Sequence, residues 1–257
     1  MTFQVKKGEI FGIGGLAGHG KISIANGVMG LYPSKGEVKV HGRVLDVTKT
    51  KDTLDDGIAF VSEDRRGVGL MLDESIELNI AIAALKTKDK FVVKKFGIPF
   101  YDKKGAIEYA KKMIKDLDIR CTGHAQPVKS LSGGNQQKVV VGKWLERKSR
   151  VAIFDEPTKG IDVAAKIEIY NLMNELKKQG IGAKKMILDS LMKLNKEKGV
   201  TVIITSSELA ELRSVCNRIA IVTEGKIAGI LRSDDKDYKF GLLMSGSKLE
   251  DADEEAM

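Results

Sequence analysis

Five short apolar runs dictate what this chain can become. "GEIFGIGG" (8–15), "GIAFVS" (57–62), "RVAIFDEP" (150–157), "GVTVIITSS" (199–207) and "RIAIVTEGKIAGIL" (218–231) each carry the consecutive apolar residues of a strand buried on both faces. Helix-compatible segments lie between them, the first being "KISIANGVMGLY" (21–32). Such an order predicts an α/β fold with a mainly parallel sheet covered by helices on both sides. The last run turns back at Glu224-Gly225, and "GEVKVHGRVLDV" (36–47) alternates around a His-Gly turn, so a small antiparallel part is expected as well.

Residues 67–148 have a different character. "ESIELNIAIAAL" (74–85) and "GAIEYAKKMIKDL" (105–117) place apolar residues at helical spacing, separated by a lysine-rich and then glycine- and proline-containing stretch expected to be a loop. A helical lobe inserted into one domain spanning 1–246 is the expected organisation, followed by an acidic, disordered tail at 247–257. Two lysine-rich helical segments, "AAKIEIYNLMNELKKQG" (164–180) and "AKKMILDSLMKLNKEKG" (183–199), share residues at a constant offset. Local duplication and chance resemblance of amphipathic helices explain this equally well, and two copies do not build a solenoid.

Composition removes several classes. At 257 residues, 42% hydrophobic and 30% charged, the chain can bury a full core. No apolar run reaches the roughly 18 to 20 residues of a membrane helix, and "MTFQVKKGEI" lacks the pattern of a secretory leader, so a cytoplasmic protein is expected. Cys121 and Cys216 stand far apart, and His19, His41 and His124 show no ligand spacing, so a metal is expected only together with a phosphate. The net charge of +8 is mostly lysine spread along the chain, as on solvated helix faces.

The chemistry concentrates where the strands end. After the first strand, Gly15, Gly18, His19, Gly20 and Lys21 follow the phosphate-binding pattern G-x-x-x-x-G-K-[ST] up to its lysine. The glycines let backbone N–H groups converge on phosphate oxygens, and the following helix turns its positive end to the same anion. The next position, where the pattern needs a magnesium-binding hydroxyl, is Ile22, with Ser23 after it. A glycine-rich loop alone can be a tight turn, but "VAIFDEP" supplies a second element. That strand delivers Asp155, suited to hold magnesium through its water shell, and Glu156, placed to take a proton from an attacking water. The competing reading of Asp-Glu-Pro is a helix start.

A second anion-binding helix start is "LSGGNQQKVVVGKWL" (131–145), where Ser132, Gly133 and Gly134 offer a hydroxyl and bare N–H groups. The stretch Leu131, Ser132, Gly133, Gly134, Asn135, Gln136, about twenty residues before an acidic strand, closely resembles the signature of the ATP-binding cassettes of ABC proteins. "FVSEDRRGVGL" (60–70) and "DEPTKGIDV" (155–163) resemble the second cassette of tandem ATPases of bacterial sugar importers of the ribose and galactose type. "FGLLMSG" (240–246) resembles the related nucleoside-importer ATPases. The resemblance covers nearly the whole chain and implies a P-loop NTPase fold, ATP and Mg2+ as cofactors, and ATP hydrolysis coupled to transport. It further implies a head-to-tail pairing in which the signature of one cassette closes the nucleotide site of a second cassette.

On the same resemblance, Glu63 takes the place of the Q-loop glutamine that contacts magnesium, Asp162 is the D-loop aspartate, and Ser207 stands where most cassettes carry a histidine that holds the γ-phosphate. Ile22, Ser207 and Glu63 all depart from the family pattern at one ATP site. The expectation is a cassette that binds nucleotide, hydrolyses it weakly in its own site, and lends its signature to a partner. Partners implied are membrane permease subunits, docked near the Glu63 loop, and indirectly a periplasmic or lipoprotein substrate-binding protein, which puts the cassette on the cytoplasmic face of the membrane. Family members acting on nucleic acid carry zinc cysteines, long coiled coils or a basic linker, none of which is visible, so no nucleic-acid partner is expected. Cassettes of this kind also begin with one or two strands before "FQVKKGEI", which the sequence does not contain, and the copy at 183–199 is absent from the usual pattern.

Overall fold

The structure, a computed structural model, describes residues 1–88, 90–145, 149–157, 159 and 201–247. The paired helical segments at 164–180 and 183–199, Asp162, and all but the first residue of the acidic tail lie outside the described residues. The chain divides into two compact units. One comprises 1–60, 150–157 and the described part of 192–257; the other comprises 61–149 and the described part of 158–191.

The first unit is built on a sheet. Its strands are β1 (Ile10–Gly14), β4 (Ile58–Val61), β7 (Val151–Asp155), β8 (Thr201–Thr205), β9 (Arg218–Thr223) and β10 (Lys226–Arg232), with the short hairpin β2 (Lys39–Val40) and β3 (Arg43–Val44) apart from them. Among the described residues the six-stranded sheet runs in the order β10-β9-β1-β8-β7-β4. β1 pairs parallel with both β8 and β9, and β7 pairs parallel with β8. β10 is antiparallel to β9. The expected α/β class with a mainly parallel sheet and small antiparallel parts is the one observed.

Strand β1, "IFGIG", shows why the sheet carries helices on both faces. Phe11 and Ile13 pack with Ala220 and Val222 of β9 and with Ile24 of helix α1 (Lys21–Val28). The alternate residues are glycines. A Cβ at Gly14 would stand 3.1 Å from the Leu212 side chain, and one at Gly12 3.0 Å from the Cys216 sulfur. The helix following β8, Leu209–Val215, therefore lies close against β1 because Gly12 and Gly14 present no side chain to it. On the α1 side, Ala25 and Met29 join Leu45, Ile58, Phe60 and Ile153 in a second apolar cluster. Helix α1 stops four residues short of Tyr32. Gly30 takes φ 68°, and the N–H groups of Leu31 and Tyr32 turn back onto the Asn26 carbonyl at 2.9 and 3.4 Å.

The second unit contains α3 (Ile76–Lys88), α4 (Lys103–Asp116) and α5 (Gly133–Leu145), numbered after the short α2 (Thr50–Asp55) of the first unit. A Cβ at Gly142 would stand 3.2 Å from Leu117, with Ile80 next at 3.7 Å, so this glycine lets α5 approach α3. The stretch expected as a loop between the helices is instead a hairpin, β5 (Val92–Lys95) and β6 (Ile98–Tyr101). Its two-residue turn, Phe96-Gly97, has φ 52° and 82°, the double positive φ that matches strand twist. The same geometry recurs at His41-Gly42 (50°, 82°) and Glu224-Gly225 (49°, 72°), both expected as turns.

Candidate nucleotide site

In parallel α/β sheets, ligands gather beyond the carboxyl ends of the strands. β1, β7 and β8 end side by side in the first unit, so Gly15, Asp155, Thr205 and the residues just after them share one edge. The loop leaving β1 begins at Gly15, whose φ of 151° comes with a close approach: a Cβ there would stand 2.3 Å from the Val222 carbonyl oxygen. Gly18 and Gly20 follow at φ 84° and 91°, and a Cβ on Gly18 would meet nothing within 4 Å. Gly18 therefore has a conformational reason to be glycine and leaves open space beside the loop. The loop is also tied to the β9–β10 turn. The Gly225 N–H donates to the His19 carbonyl (3.1 Å) and the Glu224 N–H to His19 Nδ1 (3.3 Å).

Lys21, first residue of α1, is 2% exposed and holds its ammonium 3.5 Å from Glu156 Oε1 and 3.5 Å from the Leu16 carbonyl. A buried ammonium without a counter-charge would be costly, and Glu156 is that counter-charge. Glu156 reaches it from a left-handed backbone, φ 44°, fixed by its N–H donating to the Thr205 carbonyl at 3.0 Å. A non-glycine residue in that conformation just past a strand end is the kind of local strain that functional sites retain. Ser207 donates its hydroxyl to the same Glu156 Oε1 at 2.6 Å.

Asp155, fully buried, receives the Thr205 hydroxyl on Oδ1 and the Asn26 amide on Oδ2 at 3.4 Å, while Asn26 also donates to the Ile22 carbonyl at 3.0 Å. The aspartate is thus tied both to the neighbouring strand and to the helix that begins with Lys21. Ile22 is half-buried and Ser23 exposed on that helix.

The expected signature residues form a separate arrangement in the second unit. Ser132 is exposed and Gly133 and Gly134 half-buried at the start of α5. Leu131 is core. Asn135 donates to the Ser132 hydroxyl oxygen (2.9 Å) and accepts from the Arg120 N–H (2.9 Å); Gln136, buried, sends its amide back to the carbonyls of Val128 and Leu131 at 3.3 and 3.2 Å. Asn135 and Gln136 therefore brace the turn, and Ser132 with the two glycines is the part that faces out. Arg65 donates to the Gly133 carbonyl at 2.6 Å; burial, with Arg66 beside it, holds its pKa below the usual guanidinium value. Glu63, also in this unit, is ion-paired with Lys159 at 2.6 Å.

Lys21, Asp155, Glu156 and Ser207 are thus brought together. Leu131 to Gln136 and Glu63 lie in the other unit, and Asp162 is outside the described residues. Three contributors went unread in the sequence: Asn26 and Thr205, which fix Asp155, and Arg65, which holds the signature turn. Asn26 sits one turn after Ile22 on α1, and Thr205 closes an apolar strand beside Asp155; those positions were the available signals.

A glycine loop ending in a buried lysine, with an acidic strand end beside it, defines a P-loop nucleotide-binding cassette. The chain belongs to the ABC transporter family, whose sequence model matches residues 1–159. It is 39% identical over 236 residues to the ribose import ATP-binding protein RbsA 2 of Rhizobium etli, covering 91% of this chain and 42% of that protein. It is 40% identical over 236 residues to the ribose import ATP-binding protein RbsA of Lactococcus lactis subsp. lactis, covering 91% of this chain and 43% of that one. The chain therefore spans about two fifths of the length of these relatives. Among solved structures it resembles the ATP-binding cassette MJ0796 in a dimeric, post-hydrolysis state bound to ADP and Pi, with a TM-score of 0.69 at 21% identity, covering 91% of this chain and 89% of that one. At that identity the likeness speaks for the fold.

Proposed function

We propose that the chain is the second cassette of a tandem ATPase that energises import of a sugar of the ribose class, forming one domain over 1–246 with the helical lobe as its inserted part. The observation that carries the reading is the Lys21–Glu156 pair beside Asp155 at the ends of β1 and β7, together with relatives whose names state ribose import. ATP is the nucleotide: Gly15, Gly18, His19 and Gly20 present backbone donors to its phosphates, Lys21 reaches the terminal ones, and Ser23 is placed for the α-phosphate. Lys21 would exchange its present carboxylate partner for phosphate oxygens, which frees Glu156 to orient a water.

Magnesium, when bound, neutralises charge on the phosphate oxygens. Donors on both oxygens of Asp155 fix that carboxylate in place, which suits a contact through the ion's water shell; the Ile22 side chain offers no oxygen for a direct one. Glu63, in the position of the family's magnesium-contacting glutamine, is the remaining candidate. Loss of the hydroxyl at Ile22 and of the histidine at Ser207 removes contacts that strengthen in the transition state, so turnover falls more than affinity does. This cassette binds ATP, hydrolyses it weakly, and supplies Ser132, Gly133 and Gly134 to the site of a second cassette, with Asp162 at the seam.

Its other partners are permease subunits on the cytoplasmic face of the membrane and, through them, a substrate-binding protein. Among the described residues no helix is long and apolar enough to cross a membrane. The reading is tested by reconstituting the cassette with its partner cassette and permease. Ser132→Arg is expected to abolish ATP turnover by the pair while ATP still binds to this cassette. Undiminished turnover of the pair would contradict the reading.

A further inference from the structure

The hairpin β5–β6 has a firmly held base and an exposed apolar end. At the base, Phe91 is buried with Ala81, Ala84 and Ala106 and stacks obliquely on Tyr109 at 5.8 Å. The Asp102 N–H donates to the Phe91 carbonyl at 2.7 Å, and the Tyr101 hydroxyl donates to the Glu77 carboxylate. Beyond the base the strands pair Val93 with Phe100 and Lys95 with Ile98. Those rungs alternate with Val92–Tyr101 and Lys94–Pro99, so Val93, Phe100 and Ile98 share one face. All three are exposed, Ile98 at 58%, and the Phe96 side chain at the tip is completely so.

Phe96 also stands at φ 52°, where asparagine, aspartate or glycine sits more comfortably than a bulky aromatic. Neither packing nor backbone preference accounts for phenylalanine at this position. The surrounding charge is one-sided. Residues 86–104 contain seven lysines, no arginine and two aspartates, one of which, Asp102, caps α4 by accepting the Gly105 N–H at 3.0 Å.

We propose that this hairpin is a membrane-surface anchor, with Phe96, Ile98 and Phe100 entering the headgroup–acyl boundary of an anionic bilayer and the flanking lysines binding its phosphate and carboxylate headgroups. Lysine is the discriminating residue. Protein interfaces are depleted in lysine and enriched in arginine, whereas the bilayer boundary favours aromatic and aliphatic side chains ringed by lysines whose stems lie along the apolar phase. Each lysine near an anionic leaflet adds attraction that salt screens. Aliphatic Val93 and Ile98 have no use in stacking on bases, which sets the hairpin apart from a single-strand nucleic-acid platform. The proposal concerns the second unit alone and does not rest on the transport reading.

The test is co-sedimentation of the full 257-residue chain with vesicles of phosphatidylcholine alone or of phosphatidylcholine and phosphatidylserine in equal parts, at low and high salt. Binding is expected to the anionic vesicles and to weaken with salt. The double variant Phe96→Asn, Ile98→Thr is expected to lower that binding about tenfold; asparagine suits the left-handed turn, so the thermal midpoint should not fall and ATP affinity should be unchanged. Lys94→Glu with Lys103→Glu should remove the preference for anionic vesicles. Absence of binding to the anionic vesicles, or equal binding by the double variant, overturns the proposal. So does finding that the same substitutions abolish self-association or capture of a single-stranded oligonucleotide while vesicle binding is absent.

Discussion

Glu156 Oε1 receives both the Ser207 hydroxyl and the Lys21 ammonium, so one oxygen of the general-base candidate is held from two sides. Ser207→Ala releases one of them. Turnover is expected to fall about tenfold with ATP affinity unchanged, the pattern of a contact that matters in the transition state rather than in binding. Equilibrium titration and steady-state kinetics on the same preparation check both halves. At Gly15 the constraint is structural. A Cβ would stand 2.3 Å from the Val222 carbonyl at a φ of 151°, so Gly15→Ala is expected to destabilise the fold by about 2 kcal/mol or more, measured by denaturant unfolding. Individual residues also mark the limit of sequence reading. The loop glycines, Lys21, Asp155 and Glu156 announce themselves by pattern. Asn26 and Thr205 act through contacts made across α1 and β8, and no local spacing encodes those contacts.

At the scale of elements, the apolar runs become β1, β4, β7, β8 and β9 because a strand buried on both faces leaves its mark on consecutive residues. The hairpins at His41-Gly42 and Glu224-Gly225 were legible from X-Gly turns between alternating residues. The one at Phe96-Gly97 was hidden because its strands expose their apolar residues and carry lysines, so "KFVVKKFGIPFY" imitates a polar connection. Glu224, like Phe96, bears the cost of a left-handed backbone at the first turn position. Glu224→Asn, which keeps the N–H bonded to His19 Nδ1, is expected to raise stability by about 1 kcal/mol. A thermal or chemical denaturation midpoint at or below that of the parent chain would contradict this.

Across the first unit, one ion pair joins the chain's start to the far side of β1. Arg218 donates to both oxygens of Glu9 at 2.6 and 2.9 Å, and the Lys6 N–H donates to the same carboxylate at 2.7 Å. Burial pushes the Glu9 pKa up, but the Arg218 hydrogen bond, the Lys6 N–H and the charges of both residues together hold it below 4.5. A carboxyl with a depressed folded-state pKa adds stability that is complete above its unfolded pKa and is lost as pH falls through the lower folded value. Stability is therefore expected to decline below pH 4.5, and Glu9→Gln should flatten that decline while costing about 2 kcal/mol at neutral pH. Urea unfolding at several pH values reads both effects.

The proposal that this cassette holds nucleotide without brisk turnover turns on Ile22, and restoring the missing hydroxyl tests it most directly. ATP affinity and single-cassette turnover should be measured for the parent chain and for Ile22→Thr in the presence of magnesium. The parent is expected to bind ATP and turn it over slowly, with Ile22→Thr raising turnover at least about tenfold at little change in affinity. Rapid hydrolysis by the parent chain alone, unaltered by Ile22→Thr, would contradict it.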